Sequence, residues 1–469
     1  MNSNRATGMR DQMWVPSAEL VNDIVKHYGT PTFIYDCNFA ERNFKALRHA
    51  LDEHLELFYS LKANPNISIA HHLCGFGAGA EVSSLAELRT ALDAGVAPQD
   101  IIFVGPAKSR QELRACIANR IYAIVCESID ELTIIDTMMA GLAASEQAMP
   151  VMLRVNPEFS GAGSGLAMSG KPRQFGIDEQ QVRSAADVIS DLRRIEVIGF
   201  HVYMGTRYLD VGSIVENTRN ILALADSLAA EMNITLKAVD VGGGLGVPYF
   251  ENEQALNIKS LGARINCLID EFRESHSNTR LIMELGRYLV AGCGVMLSKV
   301  RYIKESMGET FAITDGGTNL HMAAVGIGSF VKRNFPMVNF SSTSSTRKKY
   351  TVTGPLCTPN DTVGKRVTLP EIRTEDVLGT LISGAYGPTA SPTSFLSHGY
   401  PAEVLVTSRG FHLIRARDKT ADILEKQVLI TSLSEGTPSE GYNAEGSRRR
   451  DRPHDHIGVT PAPDSTMVP

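Results

Sequence analysis

The sequence has no run of about 18 uninterrupted apolar residues, so no membrane-spanning helix is expected. Its opening, MNSNRATGMRDQ, has no apolar core behind a basic stretch and does not read as a signal peptide. It has no CxxC pair. The seven cysteines (Cys37, Cys74, Cys116, Cys126, Cys267, Cys293 and Cys357) are odd in number and widely scattered. That argues against a disulfide framework or zinc site and for free thiols in a reducing, cytoplasmic setting. His71–His72 and the His454/His456 pair have no matching ligand partners, so no metal is assigned. Nor is there an excess of positive charge: 46 Lys and Arg stand against 52 Asp and Glu, a net charge of −6 over 469 residues. Phosphate neutralisation needs clustered Lys and Arg, so a broad nucleic-acid surface is not expected. What remains is a globular chain, 43% hydrophobic, long enough for two or three domains.

The organising signal is alternation. Short apolar, β-branched runs recur, at 55–61, 80–82, 101–105, 122–126, 151–155, 197–203, 236–242 and 280–286. Segments of helical period lie between them, several opening on Ser or Asp, whose oxygens cap a helix start. Eight such strands over roughly 250 residues match a closed (β/α)8 barrel, with a doubly wound open sheet as the competing topology. Lys62, His201, Gly242–Gly244 and Glu284 fall at or just after strand C-terminal ends, the catalytic rim of a barrel, which favours closure. After about residue 291 the pattern turns to short extended segments such as GVMLSKVRYIK, FAITDG and AEVLVTS. The expected organisation is a segment 1–36 whose TPTFIYD strand joins a C-terminal sheet, a barrel over 37–290, a β-domain over 291–431 and a disordered tail over 432–469.

Four features bear on chemistry, and each has a plain structural reading beside it. In FYSLKANPN, Lys62 ends an apolar strand; poor solvation would lower its pKa and favour the neutral amine that attacks a carbonyl. Taken alone, a snorkelling lysine is the better reading. The run DVGGGLGVPY would let backbone amides approach a phosphate, and is equally a tight structural turn. No GKS/T follows it, and no acidic ribose contact suits a dinucleotide site. ELGR offers Glu284 and Arg287 at one strand end, for a pyridine nitrogen and a phosphate or for a simple salt bridge. His201 in FHVYMGT could lie flat on an aromatic ring or be structural.

Together FYSLKAN, HVYMGT, GGGLGVPY, ELGR, GPLCTPND and GAYG occur in one order, and over residues 30–430 the chain resembles the fold-type III pyridoxal 5'-phosphate enzymes of the ornithine/diaminopimelate/arginine decarboxylase family. The resemblance implies an alanine-racemase-like barrel with a C-terminal β-domain, pyridoxal phosphate as cofactor, and a head-to-tail homodimer with shared sites. It implies Lys62 as the lysine bonded to the cofactor, His201 stacked on its ring, and Glu284 at the pyridine nitrogen. Gly242, Gly243, Gly244, Gly286, Arg287 and Tyr386 would hold the phosphate end. Cys357, given by the partner subunit, would reprotonate the α-carbon after CO2 loss, with Asp361 a second acidic position of that loop. Three departures stand out: Glu81 where the family has Asp, Met204 where HxGS has a hydroxyl, and ELGR for EPGR.

For the substrate, diaminopimelate decarboxylases carry an acidic residue after the loop cysteine and an Arg in an N-D-L-I-R-P stretch. Here Thr358 follows Cys357, and His321 and Met322 stand near the arginine's place. A site without both charged partners should reject the diaminopimelate head group. DGGTNLHMAA, KRNFP and GSGLAMSGKPRQFGI are similar instead to a secondary-metabolism subgroup that includes the butirosin-pathway decarboxylase, which acts on a carrier-tethered amino acid, and exosortase-associated homologues. Lys171 and Arg173 would then meet an acidic or phosphopantetheine-bearing substrate, or simply be a solvated loop. The expectation is α-decarboxylation of an amino acid or its carrier-bound conjugate. The competing readings are diaminopimelate decarboxylase, a racemase (disfavoured by Cys357 in a decarboxylase-type loop), a short cofactor-homeostasis barrel and a carrier-binding pseudoenzyme.

Overall fold

The computed structural model describes residues 11–141, 147–161, 163, 166–326 and 333–430. Eight parallel strands, Leu55–Ser60, Gly79–Val82, Ile101–Phe103, Ala123–Cys126, Met149–Asn156, Ile195–His201, Ala238–Gly243 and Arg280–Leu285, pair in chain order, and the last pairs back to the first. The barrel is therefore closed. Side-chain caps start the helices between them. Ser109 and Glu112 form a reciprocal capping box, and Ser84, Ser128, Asp210 and Asn257 each accept an amide proton of the first turn. These bonds satisfy donors that a helix leaves unpaired, which is why the chain turns into a helix at those points.

Strand alternation builds the barrel interior in two layers. Phe58, Ile102, Met152, Ala238 and Ile282 form an apolar floor. Arg280 closes its far end, its guanidinium over the Phe58 and Tyr122 rings and paired with Glu56 and Asp100. Residues two apart in a strand share a face. One step above Met152, Ala238 and Ile282 therefore lie Arg154, Asp240 and Glu284, all buried. The sixth strand breaks this period. Val197 and Gly199 pair with the successive residues Val151 and Met152, so one residue is bulged out of register. A Cβ at Gly199 would lie 1.7 Å from the Ala238 carbonyl oxygen, so only glycine fits there. The bulge lets Ile198 join the floor and still aims His201, three residues on, into the polar layer.

A second, mixed sheet follows. Its long strand Gly294–Ser306 pairs antiparallel with Thr32–Asp36, Glu309–Thr314 and Val377–Leu381, and Thr32–Asp36 runs parallel to Ala402–Thr407. Arg347–Thr353, Thr362–Pro370, Met337–Asn339 and Gly410–Arg415 complete it. Two polar stitches bind it to the barrel mouth. The Tyr386 amide donates to the Ala63 carbonyl at 2.8 Å, and Asn64 Nδ2 donates to the Gly384 carbonyl at 3.1 Å. Residues 425–469 form a separate unit; of these, the described residues 425–430 form neither helix nor strand, and the tail expected from Ser432 lies outside the described residues. No helix among the described residues is long and apolar enough to cross a membrane.

Candidate active site

At the C-terminal mouth of the barrel, Lys62 occupies a single 3-10 turn, Leu61–Ala63, directly after the first strand. Its Nζ lies 2.9 Å from Glu81 Oε2 and 3.7 Å from Glu284 Oε2. The expectation of a lowered lysine pKa is corrected by this geometry. Burial works against the charge, but the Glu81 and Glu284 carboxylates outweigh it and hold the pKa well above the ordinary lysine value. The longer reach of Glu81 thus ends in direct contact with Lys62, while its Oε1 accepts from Ser83 Oγ at 3.1 Å.

His201 Nε2 lies 3.1 Å from Glu284 Oε1, with both side chains buried. Glu284 stays ionised. Burial alone would raise its pKa, yet Lys62 and the His201 hydrogen bond hold it below the usual carboxylate range. Asp240 is the opposite case: burial first, then the Glu284 charge, push it well above that range, so it stays neutral. Its Oδ1 accepts the Gly242 amide at 2.8 Å. His201, Asp240 and Glu284 offer three potential ligand atoms within 4.8 Å of one another, the only such group of His, Cys, Asp and Glu among the described residues.

The Tyr203 ring faces Lys62, its centroid 5.4 Å from Nζ. Tyr203 also bonds Thr206. The H-x-G-S spacing therefore survives as Tyr203-Met204-Gly205-Thr206, with tyrosine in the histidine's place. Counting it from His201 put Met204 where a hydroxyl was expected; in the fold Met204 is buried against Gly161, and Thr206 carries the hydroxyl. Burial pushes the Tyr203 phenol up to about 12, so it remains protonated.

The glycine run is packed against protein on three sides. Cβ atoms at Gly242, Gly243 and Gly244 would lie 2.6, 1.7 and 2.0 Å from the carbonyl oxygens of Val202, Glu284 and Gly205. Gly286 closes against Ala63, which draws the Glu284 strand end onto the Lys62 turn. Beside them, Arg287 Nη1 donates to Tyr249 Oη at 2.9 Å, and its guanidinium lies 4.5 Å from the Tyr386 ring. Arg287 has no carboxylate partner among the described residues, and its buried Nε has no hydrogen-bond partner there. A largely buried cation without a counter-ion calls for an anion. With Lys62 and Glu284 beside it, and the half-buried Gly243 and Gly244 at the end of the neighbouring strand, the residues present fit a phosphorylated pyridine aldehyde.

The other expected site residues lie apart from this cluster. Asp361 is buried, its two oxygens taken by the amides of Thr318 (2.6 Å) and Leu356 (2.7 Å), which shapes the cysteine loop. Cys357 itself is exposed, and all seven thiols are unpaired. His321 is buried between Phe33 and Phe335 with Nε2 3.0 Å from Ser383 Oγ; burial pushes its pKa down to about 3. Arg173 and Lys171 are exposed, and Arg173 Nη2 donates to the Ala167 carbonyl at 3.3 Å. Sequence reasoning passed over Tyr203, Asp240 and Arg154. Arg154, bonded to Glu127 at 2.9 Å, was visible as a lone charge inside the apolar run VMLRV.

Residues 39–291 match the family described as pyridoxal-dependent decarboxylase, pyridoxal binding domain. The chain belongs to this family. It is a decarboxylase with the alanine-racemase-like barrel. It is 37% identical over 418 residues to the L-glutamyl-[BtrI acyl-carrier protein] decarboxylase of Niallia circulans, covering 88% of this chain and 97% of that one. Diaminopimelate decarboxylase of Aquifex aeolicus is 27% identical, with 87% and 94% covered. Among solved structures, diaminopimelate decarboxylase of Methanocaldococcus jannaschii superposes with a TM-score of 0.79 at 27% identity, covering 87% and 94% of the two chains.

Proposed function

We propose that this decarboxylase removes the α-carboxylate of an amino acid carried on an acyl carrier protein, a glutamyl group in particular, in a biosynthetic pathway of secondary metabolism. The observation that carries the substrate is that the two positions expected to hold charged partners for a diaminopimelate head group carry none among the described residues. Thr358 follows the loop cysteine, and His321, near the place of the missing arginine, is neutral and committed to Ser383. A buried neutral imidazole gives no salt bridge to a distal carboxylate. The similarity to the carrier-protein decarboxylase over nearly its whole length supports the same choice.

Pyridoxal phosphate, when bound, supplies the electron-withdrawing ring that takes up the electron pair left as CO2 departs. Lys62 Nζ would hold it, and Glu81, 2.9 Å away, is a carboxylate within reach of the Nζ proton. Glu284 would keep the ring nitrogen protonated, and His201, 3.1 Å from Glu284 Oε1, fixes that carboxylate. Tyr203, 5.4 Å from Lys62 Nζ, would offer the aromatic face to the cofactor ring, since His201 is committed to Glu284. Arg287, Gly243, Gly244, Gly286 and Tyr386 would hold the phosphate, while Gly242, whose amide is bonded to Asp240, shapes the turn beside it. Lys62 already compensates Glu284 and Asp240 is neutral, so we assign no metal to the His201 group. The chain acts as a homodimer, in which Cys357 of a second copy delivers the proton that replaces CO2 on the α-carbon.

Purified enzyme with pyridoxal phosphate is offered glutamyl-carrier protein, free glutamate, meso-diaminopimelate and ornithine, and CO2 and product mass are measured. Carrier-bound product with CO2 release is expected. Preferred turnover of free diaminopimelate, or exchange of enantiomers without CO2, would refute the reading.

A further inference from the structure

The same mouth carries a second arrangement that the chemistry above leaves unused. Arg207 Nη2 lies 3.4 Å and Arg333 Nη1 3.8 Å from one oxygen, Glu253 Oε1, whose partner oxygen accepts the Tyr249 amide at 2.9 Å. Charge-assisted N–H···O bonds run at about 2.7–2.9 Å. One carboxylate shared at these longer distances leaves both guanidiniums with donor capacity, and the trio with a net positive charge. The arginines stand over the Phe250 ring at 5.7 and 5.1 Å, and Arg207 also faces Tyr249 at 5.4 Å. Their side chains are 38% and 50% exposed.

Two features argue that this is a built site. Arg207 holds a left-handed backbone, φ +67°, which costs a non-glycine residue on the order of 1 kcal/mol. The arginines are also continuous with the buried cluster, because Tyr249, beneath Arg207, bonds Arg287. An aromatic path formed by Phe250, Phe335 and Tyr249 thus leads from the exposed pair to the buried guanidinium.

We propose that Arg207 and Arg333 seat the phosphodiester of the carrier protein's phosphopantetheine arm where it enters the active-site mouth. The inference rests on the carrier-tethered reading above. A phosphodiester has two non-bridging oxygens for two guanidinium forks. The arm behind it is an uncharged amide chain, suited to the aromatic faces that line the path inward. A free amino acid has no phosphodiester to place outside the mouth.

The test compares steady-state kinetics of the holoenzyme on glutamyl-carrier protein, glutamyl-phosphopantetheine and glutamyl-pantetheine, the last lacking the phosphate. Arg333→Gln and the double variant with Arg207→Gln should raise KM about tenfold or more on both phosphate-bearing substrates, with kcat within twofold. Glutamyl-pantetheine should be unaffected. Glu253→Gln, which removes the competing charge and keeps an acceptor for the Tyr249 amide, should lower KM on the phosphate-bearing substrates, an effect that mere structural damage does not produce. Equal losses on all three substrates, or no loss on any, would overturn the proposal. A loss confined to the intact carrier protein would overturn it as well, since the arginines would then read the protein surface. If the unmutated enzyme ignores glutamyl-carrier protein yet decarboxylates a free amino acid, the functional reading itself falls.

Discussion

Gly243→Ala separates the two readings of the glycine run, room for a phosphate or room for the protein itself. On the observed backbone the new Cβ falls 1.7 Å from the Glu284 carbonyl oxygen and 2.8 Å from its carbon, where ordinary contact begins at 3.4 Å. The clash lies between two neighbouring barrel strands, where Gly243 pairs with Glu284. No rotamer relieves a backbone atom, so the strands must part by about the missing 1.7 Å, the difference between those two distances. Overpacking a tight core costs about 1–3 kcal/mol, and a lost ladder hydrogen bond adds about 1 kcal/mol. A loss of about 3 kcal/mol is therefore expected, measured as a lower urea midpoint. Because the clash is internal, it should appear in cofactor-free protein as well as in the loaded enzyme. Glu284 would move with its strand, so cofactor affinity should fall too. If cofactor-free Gly243→Ala unfolds like the unmutated protein and only cofactor binding suffers, the packing argument is wrong and the phosphate alone explains the glycine.

Three further outcomes follow from the same cluster. Lys62→Ala should abolish the visible absorbance of lysine-bound pyridoxal phosphate, and persistence of that band would remove Lys62 from its role. Asp240 keeps in the fold a proton that it loses on unfolding above about pH 4, so folding takes up a proton and stability falls as pH rises above that value. Asp240→Asn has no such dependence and should gain on the unmutated protein as pH rises above about 4, by at most about 1.4 kcal/mol per pH unit; a gap independent of pH would mean that Asp240 is ionised. His321 has the opposite sign, with its folded pKa lowered to about 3. The unfolded chain binds the extra proton below about pH 6.5, so stability is lost as pH falls through that value, and His321→Gln should narrow its deficit at pH 5 relative to pH 8. A deficit that is unchanged or wider at pH 5 would place a charged imidazole at this position.

Much of the barrel was legible because a buried parallel strand writes itself as an apolar run with a helix behind it. All eight strands lie within or beside the runs read from the sequence. Three strands of the second sheet were not. Val377–Leu381 is short with a central glycine, Met337–Asn339 is three residues long, and Thr362–Pro370 alternates too irregularly to stand out. Val377–Leu381 is placed by Gly294–Ser306, Met337–Asn339 by Val377–Leu381 and Thr362–Pro370 by Arg347–Thr353, and tertiary partners of this kind leave no local periodicity.

The site shows a sharper division. Glu81 and Glu284, whose positions follow from strand period, and Lys62, one turn beyond its strand, converge at the barrel mouth. Residues whose position depends on a bulge are not read in this way. His201 faces inward only because Gly199 throws one residue out of register, and the chain then delivers Tyr203 to Lys62. A register shift requires knowing which carbonyl the glycine abuts, here Ala238, and no spacing rule within one strand contains that. Charge was hidden in the same way. An isolated strand-end lysine predicts a lowered pKa, yet Lys62 is raised because two carboxylates from other strands converge on it. The enzyme therefore stores Lys62 as a cation clamped by Glu81 and Glu284. Lys62 must shed a proton before it can bond a carbonyl carbon, and Glu81, 2.9 Å away, is the acceptor in reach although its charge is also what holds that proton on the lysine.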